Sequence, residues 1–348
     1  MSRYHALAAA VGLALLTTGC TSSSDGPSWA ADPSSTAGPA AKPLVTEAEA
    51  NKIVDGYQSV NNDANASLSA AKMANAEGGA LLVSDRGYLT ETKAMDQKEV
   101  KENLAPFAYV NRAFFIPPVS ANADWFVLKA QGANLENGKP GTPWKQNVRL
   151  VVFKKTAAGW RAVLSGGFSG DEVSKMPQIA VGQGGLAEVV DPRAKIGDTA
   201  PADLAGLVAD LYVNGGRYSP LAETAARSKA AGSKSTREDN LGDYAHADFA
   251  KAAPRDGTTY AMRTADGGAL VLGDGAVDET LLAKDVNSYI TLGKVLRPFV
   301  KNGAARMDEV VIHDILMETA VIAAGGAPAV YGISRQTTSI DATPASKI

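Results

Sequence analysis

Asn147-Val148-Arg149-Leu150-Val151-Val152-Phe153-Lys154 and Trp160-Arg161-Ala162-Val163-Leu164-Ser165-Gly166-Gly167-Phe168 are two short runs separated by the turn Thr156–Gly159. Both are rich in β-branched and aromatic residues, which suit a pleated, half-buried surface. Two such runs across so short a turn predict an antiparallel hairpin. Working toward the N-terminus, Asp124–Ala130, with Trp125, Phe126, Val127 and Leu128, reads as a further strand. So does the run of Phe107, Tyr109, Phe114 and Ile116, which Pro117-Pro118 closes. The four strands are the third, fourth, second and first of one sheet.

Before them the period is helical. Thr46 and Glu49 form a T-x-x-E capping box, and Ile53, Tyr57, Val60, Ala64 and Leu68 recur every three or four residues. Gly56 and Asn61-Asn62-Asp63 predict a bend or break, with a second helix running toward Ala76 and ending at Gly78-Gly79. Lys93–Leu104 is charged and helix-permissive up to Pro106. Helices followed by strands point to an α+β domain over 44–170, with helices covering one face of an antiparallel sheet.

Toward the C-terminus, Ser169–Thr199 is rich in Gly and Pro without a period, and predicts an inter-domain linker over 171–199. Pro201 then opens a helix whose Leu204, Leu207, Val208 and Leu211 share one face, and which Asn214-Gly215-Gly216 ends. Ala226–Asp243 reads as a mobile charged loop. Strands return at Thr258–Thr264 and Ala269–Leu272 across Asp266-Gly267, and at Asp308–Ala323 and Ala329–Thr338 across Gly325-Gly326. The second α+β domain is thus expected over 200–341, with a tail at 342–348. Each half starts with a helix and ends in a long hairpin, which suggests an internal duplication.

The N-terminus decides where the chain works. Arg3 precedes the uncharged run Ala6–Leu16, too short for a permanent span, so residues 1–19 read as a signal peptide. Leu16-Thr17-Thr18-Gly19-Cys20 resembles the lipobox of bacterial lipoproteins, with Thr17 where that motif prefers leucine; an ordinary secretory cleavage near Gly19 or Ala30 is the alternative. The resemblance implies a diacylated Cys20 on the outer face of the cytoplasmic membrane, because two acyl chains hold where one does not. Ser, Ala, Pro, Gly and Thr dominate residues 20–43, a composition that cannot bury enough surface to order and so predicts a disordered tether. Cys20 is the only cysteine in the 348 residues, so no intramolecular disulfide supports the fold. A net charge of −3 offers no basic face for nucleic acid.

With the Leu16–Cys20 anchor, the Asn61-Asn62 helix, the Trp125-Phe126 strand, and the Val151–Trp160 and His313–Gly332 hairpins, the chain resembles an uncharacterised family of secreted lipoproteins from high-GC Gram-positive bacteria. The helices and curved sheet of the first half resemble the nuclear-transport-factor-like, or cystatin-like, cone. That class holds isomerases, dehydratases, ligand binders and interaction modules, so it implies a fold and a concave face without choosing a function.

No complete catalytic or metal constellation is present in the sequence. Ser69-Ala70-Ala71-Lys72 matches S-x-x-K without its companion motifs; Gly167-Phe168-Ser169-Gly170 meets Asp171 where a nucleophile elbow needs glycine. Gly182–Gly185 lacks the Lys-Ser/Thr of a phosphate loop, and Asp274, Asp278 and Glu279 lack the order of a calcium loop. His313 and Asp314 alternate to opposite faces of a strand, which makes His313 a surface or hydrogen-bonded structural residue. Tyr109, Asp124, Trp125 and Phe153 are the candidates for a ligand pocket on the first sheet. No cofactor or metal is expected. The sequence favours a membrane-anchored binding or interaction module with an envelope protein or small ligand as partner. A small-molecule binder or enzyme of the cone class comes second, and the solute-binding lipoprotein of an importer third.

Overall fold

The computed structural model describes residues 41–345 apart from Lys145, Val286 and Asn302. The expected signal peptide, lipidated Cys20 and most of the tether lie outside the described residues, as do residues 346–348 of the expected tail. Helix α1 (Glu47–Ala66) starts at the capping box, with Thr46 Oγ1 accepting from Glu49 N–H and the Glu49 carboxylate from Thr46 N–H. It does not break at the Asn cluster, because tertiary partners take up those amides. Buried Asn61 donates to Glu77 Oε1 at 2.9 Å, and Asn62 exchanges two hydrogen bonds with the backbone of Phe107.

The chain turns at Leu68, with φ of +48°, into α2 (Ala70–Met73). Gly78-Gly79 then opens a helix where an ending was expected: α3 spans Gly79–Thr92. The pair is held by strand-like pairing of 76–78 with Ala162, Gly78 N–H donating to Ala162 C=O at 2.9 Å. A shorter α4 (Gln97–Asn103) follows its own capping box, Asp96 with Glu99.

The first sheet contains β1 (Phe107–Phe115), β2 (Trp125–Glu136), β3 (Lys139–Pro143), β4 (Asn147–Thr156) and β5 (Gly159–Ser169), all antiparallel in the order β1-β2-β4-β5 with β3 on β2. The β4–β5 hairpin pairs Asn147 with Ser169 and Thr156 with Gly159, as its sequence predicts.

Downstream, α5 (Leu204–Asn214) follows the Pro201 turn and ends at Gly215 in the left-handed region. The segment expected as a mobile loop is instead two helices, α6 (Ala225–Ala231) and α7 (Ser233–Leu241). Thr224 caps the first by accepting from Arg227 N–H at 3.1 Å, and Arg237 of the second reaches buried Glu279. The second sheet joins β6 (Ala245–Ala252), β7 (Tyr260–Arg263), β8 (Ala269–Ala283), β9 (Met307–Ile322) and β10 (Ala329–Pro344) in the order β10-β9-β8-β6, with β7 on β8. The architecture is therefore α+β with two antiparallel sheets. Among the described residues no helix is long and apolar enough to cross a membrane.

The described residues form one compact unit. Its largest apolar cluster joins Val54, Phe126, Val151 and Phe153 to Met262, Leu272, Ile315 and Met317 of the second sheet. Residues 171–199 run through packed chain: Ile179 bridges Thr264, Val189 bridges Met262, and Ala187 N–H donates to Ile116 C=O at 2.9 Å. The two sheets meet at β5 and β9, where Gly167 N–H donates to Thr319 Oγ1 at 2.8 Å. A Cβ on Gly166 would lie 2.1 Å from that same Oγ1, so only glycine permits the approach. This contact and α3 bound the open space described next.

Candidate binding cleft

Three elements converge on one cleft. From α1, Tyr57 and Asn61 lie one turn apart on the same face, and from α3, Asp85 and Tyr88 do the same. The first sheet supplies Tyr109 from β1, Arg149 from β4 and Ser165 from β5. Two cavities result. One, of about 330 Å³, has Phe107, Tyr109 and Trp144 in its wall; the other, of about 480 Å³, runs on to Ser334 and Gln336 of β10. Leu81, Asp85, Tyr88, Arg149 and Ser165 line both, so they form the neck of one continuous cleft.

The aromatic wall is fixed by packing. Tyr57 stacks on Tyr109, whose ring takes Phe107 edge-on at 5.2 Å. The backbone N–H of Trp144 donates to Gly132 C=O at 2.7 Å, and its ring lies so close to Gly132 that a Cβ there would come within 2.2 Å. The backbone of Tyr109 is held by Gln58 of α1, whose Oε1 accepts the Tyr109 N–H.

Behind the neck lies Glu77, 2% exposed. Its Oε1 accepts from Tyr57 OH at 3.2 Å and Asn61 Nδ2 at 2.9 Å, while Oε2 accepts from no donor among the described residues. Burial, and then the charge on neighbouring Asp85, push the Glu77 carboxyl well above the usual range. Burial also raises Asp85 to about 6, against the hydrogen bond from Glu77 and the charge of Arg149. The two acids thus form a hydrogen-bonded pair, with Glu77 as the donor and Asp85 as the member nearer the charge of Arg149. Burial pushes Tyr109 up to about 12 and raises Tyr57 as well, so both phenols are neutral donors.

Of the four pocket residues expected from sequence, only Tyr109 lines this cleft. Asp124 is exposed and pairs with Lys154 at 3.9 Å; Trp125 packs edge-on to Tyr260 at 5.4 Å. Phe153 is fully buried, stacked on Phe126 at 5.2 Å, and borders a separate hollow with Trp160. Sequence reading passed over Glu77, Asp85 and Arg149. The available signal was the position of Asp85, four residues from Leu81 and three from Tyr88.

The remaining motifs resolve locally. Ser69 caps α2, its Oγ accepting from Lys72 N–H at 3.3 Å, while the Lys72 ammonium pairs with Asp63 at 2.9 Å. Asp274 accepts three backbone N–H groups, from Asp256, Gly257 and Thr258, and so pins a loop. His313 is hydrogen-bonded on both ring nitrogens, to Asp278 at 2.8 Å and Asp341 at 3.2 Å. Burial opposes its charge, yet the two carboxylates raise its pKa. Asp314 points to the opposite face, toward Arg335. Among the described residues no group of three or more His, Cys, Asp or Glu is placed to hold a metal ion.

The family described as "Domain of unknown function (DUF8094)" matches residues 41–342, a range that contains both sheets and the whole cleft. The chain is similar to a protein of Streptomyces coelicolor named "Uncharacterized lipoprotein SCO6871", at 29% identity over 271 residues that cover 75% of this chain and 72% of that one. No solved structure matches it.

Proposed function

The chain belongs to the DUF8094 family, and on that premise we propose that it is an extracytoplasmic lipoprotein, anchored through Cys20, that binds a small polar ligand in the cleft between α1, α3 and the first sheet. The observation that carries this reading is the neck: a carboxyl group and a cation, Asp85 and Arg149, face open volume against an aromatic wall. A concave site with a few convergent polar groups is what a small-molecule site requires. The relative named as a lipoprotein supports the anchor, as do the Leu16–Cys20 residues. On this reading the protein binds without turnover. A second reading, an acid–base enzyme of the cone class, is favoured by one feature, the hydrogen-bonded pair of acids Glu77 and Asp85, both raised by burial.

The test uses the full-length protein, purified from membranes in detergent, in a thermal-shift screen against classes of small polar molecules. Saturable stabilisation by one class, lost in Arg149→Met, is the expected result. No stabilisation by any class, or shifts that Arg149→Met leaves intact, would remove the cleft as the site. In the producing cell, Cys20→Ser is expected to move the protein from the membrane fraction to the medium.

A further inference from the structure

Arg149 and Asp85 share the neck, and the positive charge of Arg149 acts on Asp85. The Arg149 guanidinium is exposed to the cleft and makes neither a hydrogen bond nor an ion pair within the described protein. Its fork of five donors is therefore unspent, and that fork matches a carboxylate. Beside it an acid faces the same volume, with Glu77 behind it. Phe107, Tyr109 and Trp144 close one end of the cleft with apolar surface.

A ligand complementary to this arrangement carries an anion and a cation on one small framework, and an apolar group beside them. From that match, and resting on the ligand-binding reading above, we infer that the cleft recognises a free α-amino acid with an aromatic or large apolar side chain. Its carboxylate lies on Arg149, its ammonium on Asp85, and its side chain against Phe107, Tyr109 and Trp144. Glu77 stays behind the contact as a neutral donor to Asp85. It keeps a second negative charge out of the site while Tyr57 and Asn61 hold its other oxygen. The ammonium and carboxylate together neutralise the two charges of the neck, so binding leaves no buried charge unpaired.

The experiment is calorimetric titration of the full-length, detergent-purified protein at pH 7.5 with phenylalanine, phenylalaninamide and N-acetylphenylalanine. Phenylalanine is expected to bind saturably, and removal of either charge is expected to weaken binding by about 10- to 100-fold, the range for one hydrogen-bonded charge. The two variants sharpen the assignment. Arg149→Met should cost phenylalanine that factor and leave the amide unaffected, whereas Asp85→Asn should cost phenylalanine and leave the N-acetyl compound unaffected. The analogue series on the unmodified protein stands even if a variant fails to fold. Equal binding of all three compounds overturns the inference. So does an absence of phenylalanine binding when another class stabilises the protein in the screen, which preserves the ligand-binding reading. Silence in both experiments overturns both.

Discussion

Two of the places where the molecule buries carboxylates treat them in opposite ways. In the second sheet, Glu279 and Asp314 are cross-linked by arginines: Arg237 and Arg335 both reach Glu279, and Arg335 Nε donates to Asp314 at 2.6 Å. The Arg335 guanidinium also lies over Tyr212 and Phe249, 5.5 and 5.2 Å from their ring centres. Burial works against its charge, but Asp314 and Glu279 outweigh that and raise its pKa. In the cleft, Asp85 and Arg149 line the same open volume, Glu77 lies buried behind Asp85, and one Glu77 oxygen accepts from no donor. Buried acids therefore do not by themselves mark a site. What distinguishes the two regions is unspent hydrogen-bonding capacity next to space.

The strongest way to break that contrast is to remove the cation from each region. Arg335→Met leaves Glu279 and Asp314 with less compensation inside the fold, and is expected to destabilise the protein by about 3–5 kcal/mol in urea unfolding. Arg149→Met removes a cation exposed to the cleft and is expected to cost less than about 1 kcal/mol. Equal losses would mean that Arg149 is structural and that the two regions are one kind of device.

Glu318 on β9 sharpens the comparison because it has neither an arginine nor a cavity. It is 1% exposed, its Oε2 has no partner, and burial followed by the charge of Asp274 raises it from 4.5 to about 8. For an acid whose pKa is raised by folding, the native state binds the proton more tightly than the unfolded chain does. Stability is therefore greatest below about 4.5 as far as this group is concerned, and falls as pH rises toward 8. The slope within that window is about 1.4 kcal/mol per pH unit. Melting temperatures from pH 5 to 9 should decline more steeply for the native protein than for Glu318→Gln. Parallel profiles would show that this carboxyl is charged or hydrated at neutral pH.

The same physics explains what the sequence made legible. The β4–β5 and β9–β10 hairpins announce themselves through β-branched runs and short turns, and α1 and α5 through a capping box, a proline and a regular stripe. By contrast α3 carries Gly79, Ser84 and Gly87 on or near its buried side and has almost no amphipathic contrast, so no helical period emerges. In β6 the alternation rests mainly on alanines, Ala245 and Ala247, too small to stand out. The site was missed for the same reason. Asp85 is legible as a cleft residue only once α3 is a helix, and Arg149 reads simply as the polar side of an alternating strand. Tyr109 could be anticipated because an aromatic in a strand announces a face, though not whether that face is filled.

The smallest expected effect tests whether the cleft is open to water as well as to ligand. Burial holds Asp85 near 6 against an ordinary 3.8, so its ionisation disfavours the folded state once the pH passes through that interval. Asp85→Asn removes the cost but also the attraction to Arg149, and the cleft admits solvent that screens both. The two contributions nearly cancel, which leaves a gain of about 1 kcal/mol or less above pH 6 and none below pH 4. Difference melting curves between the two proteins across pH 3.5 to 7.5 should therefore rise once, with a midpoint between those limits, and then stay flat. A gain as large as the loss from Arg335→Met would mean that water does not reach Asp85, and the neck would then be as closed as the ionic cluster of the second sheet.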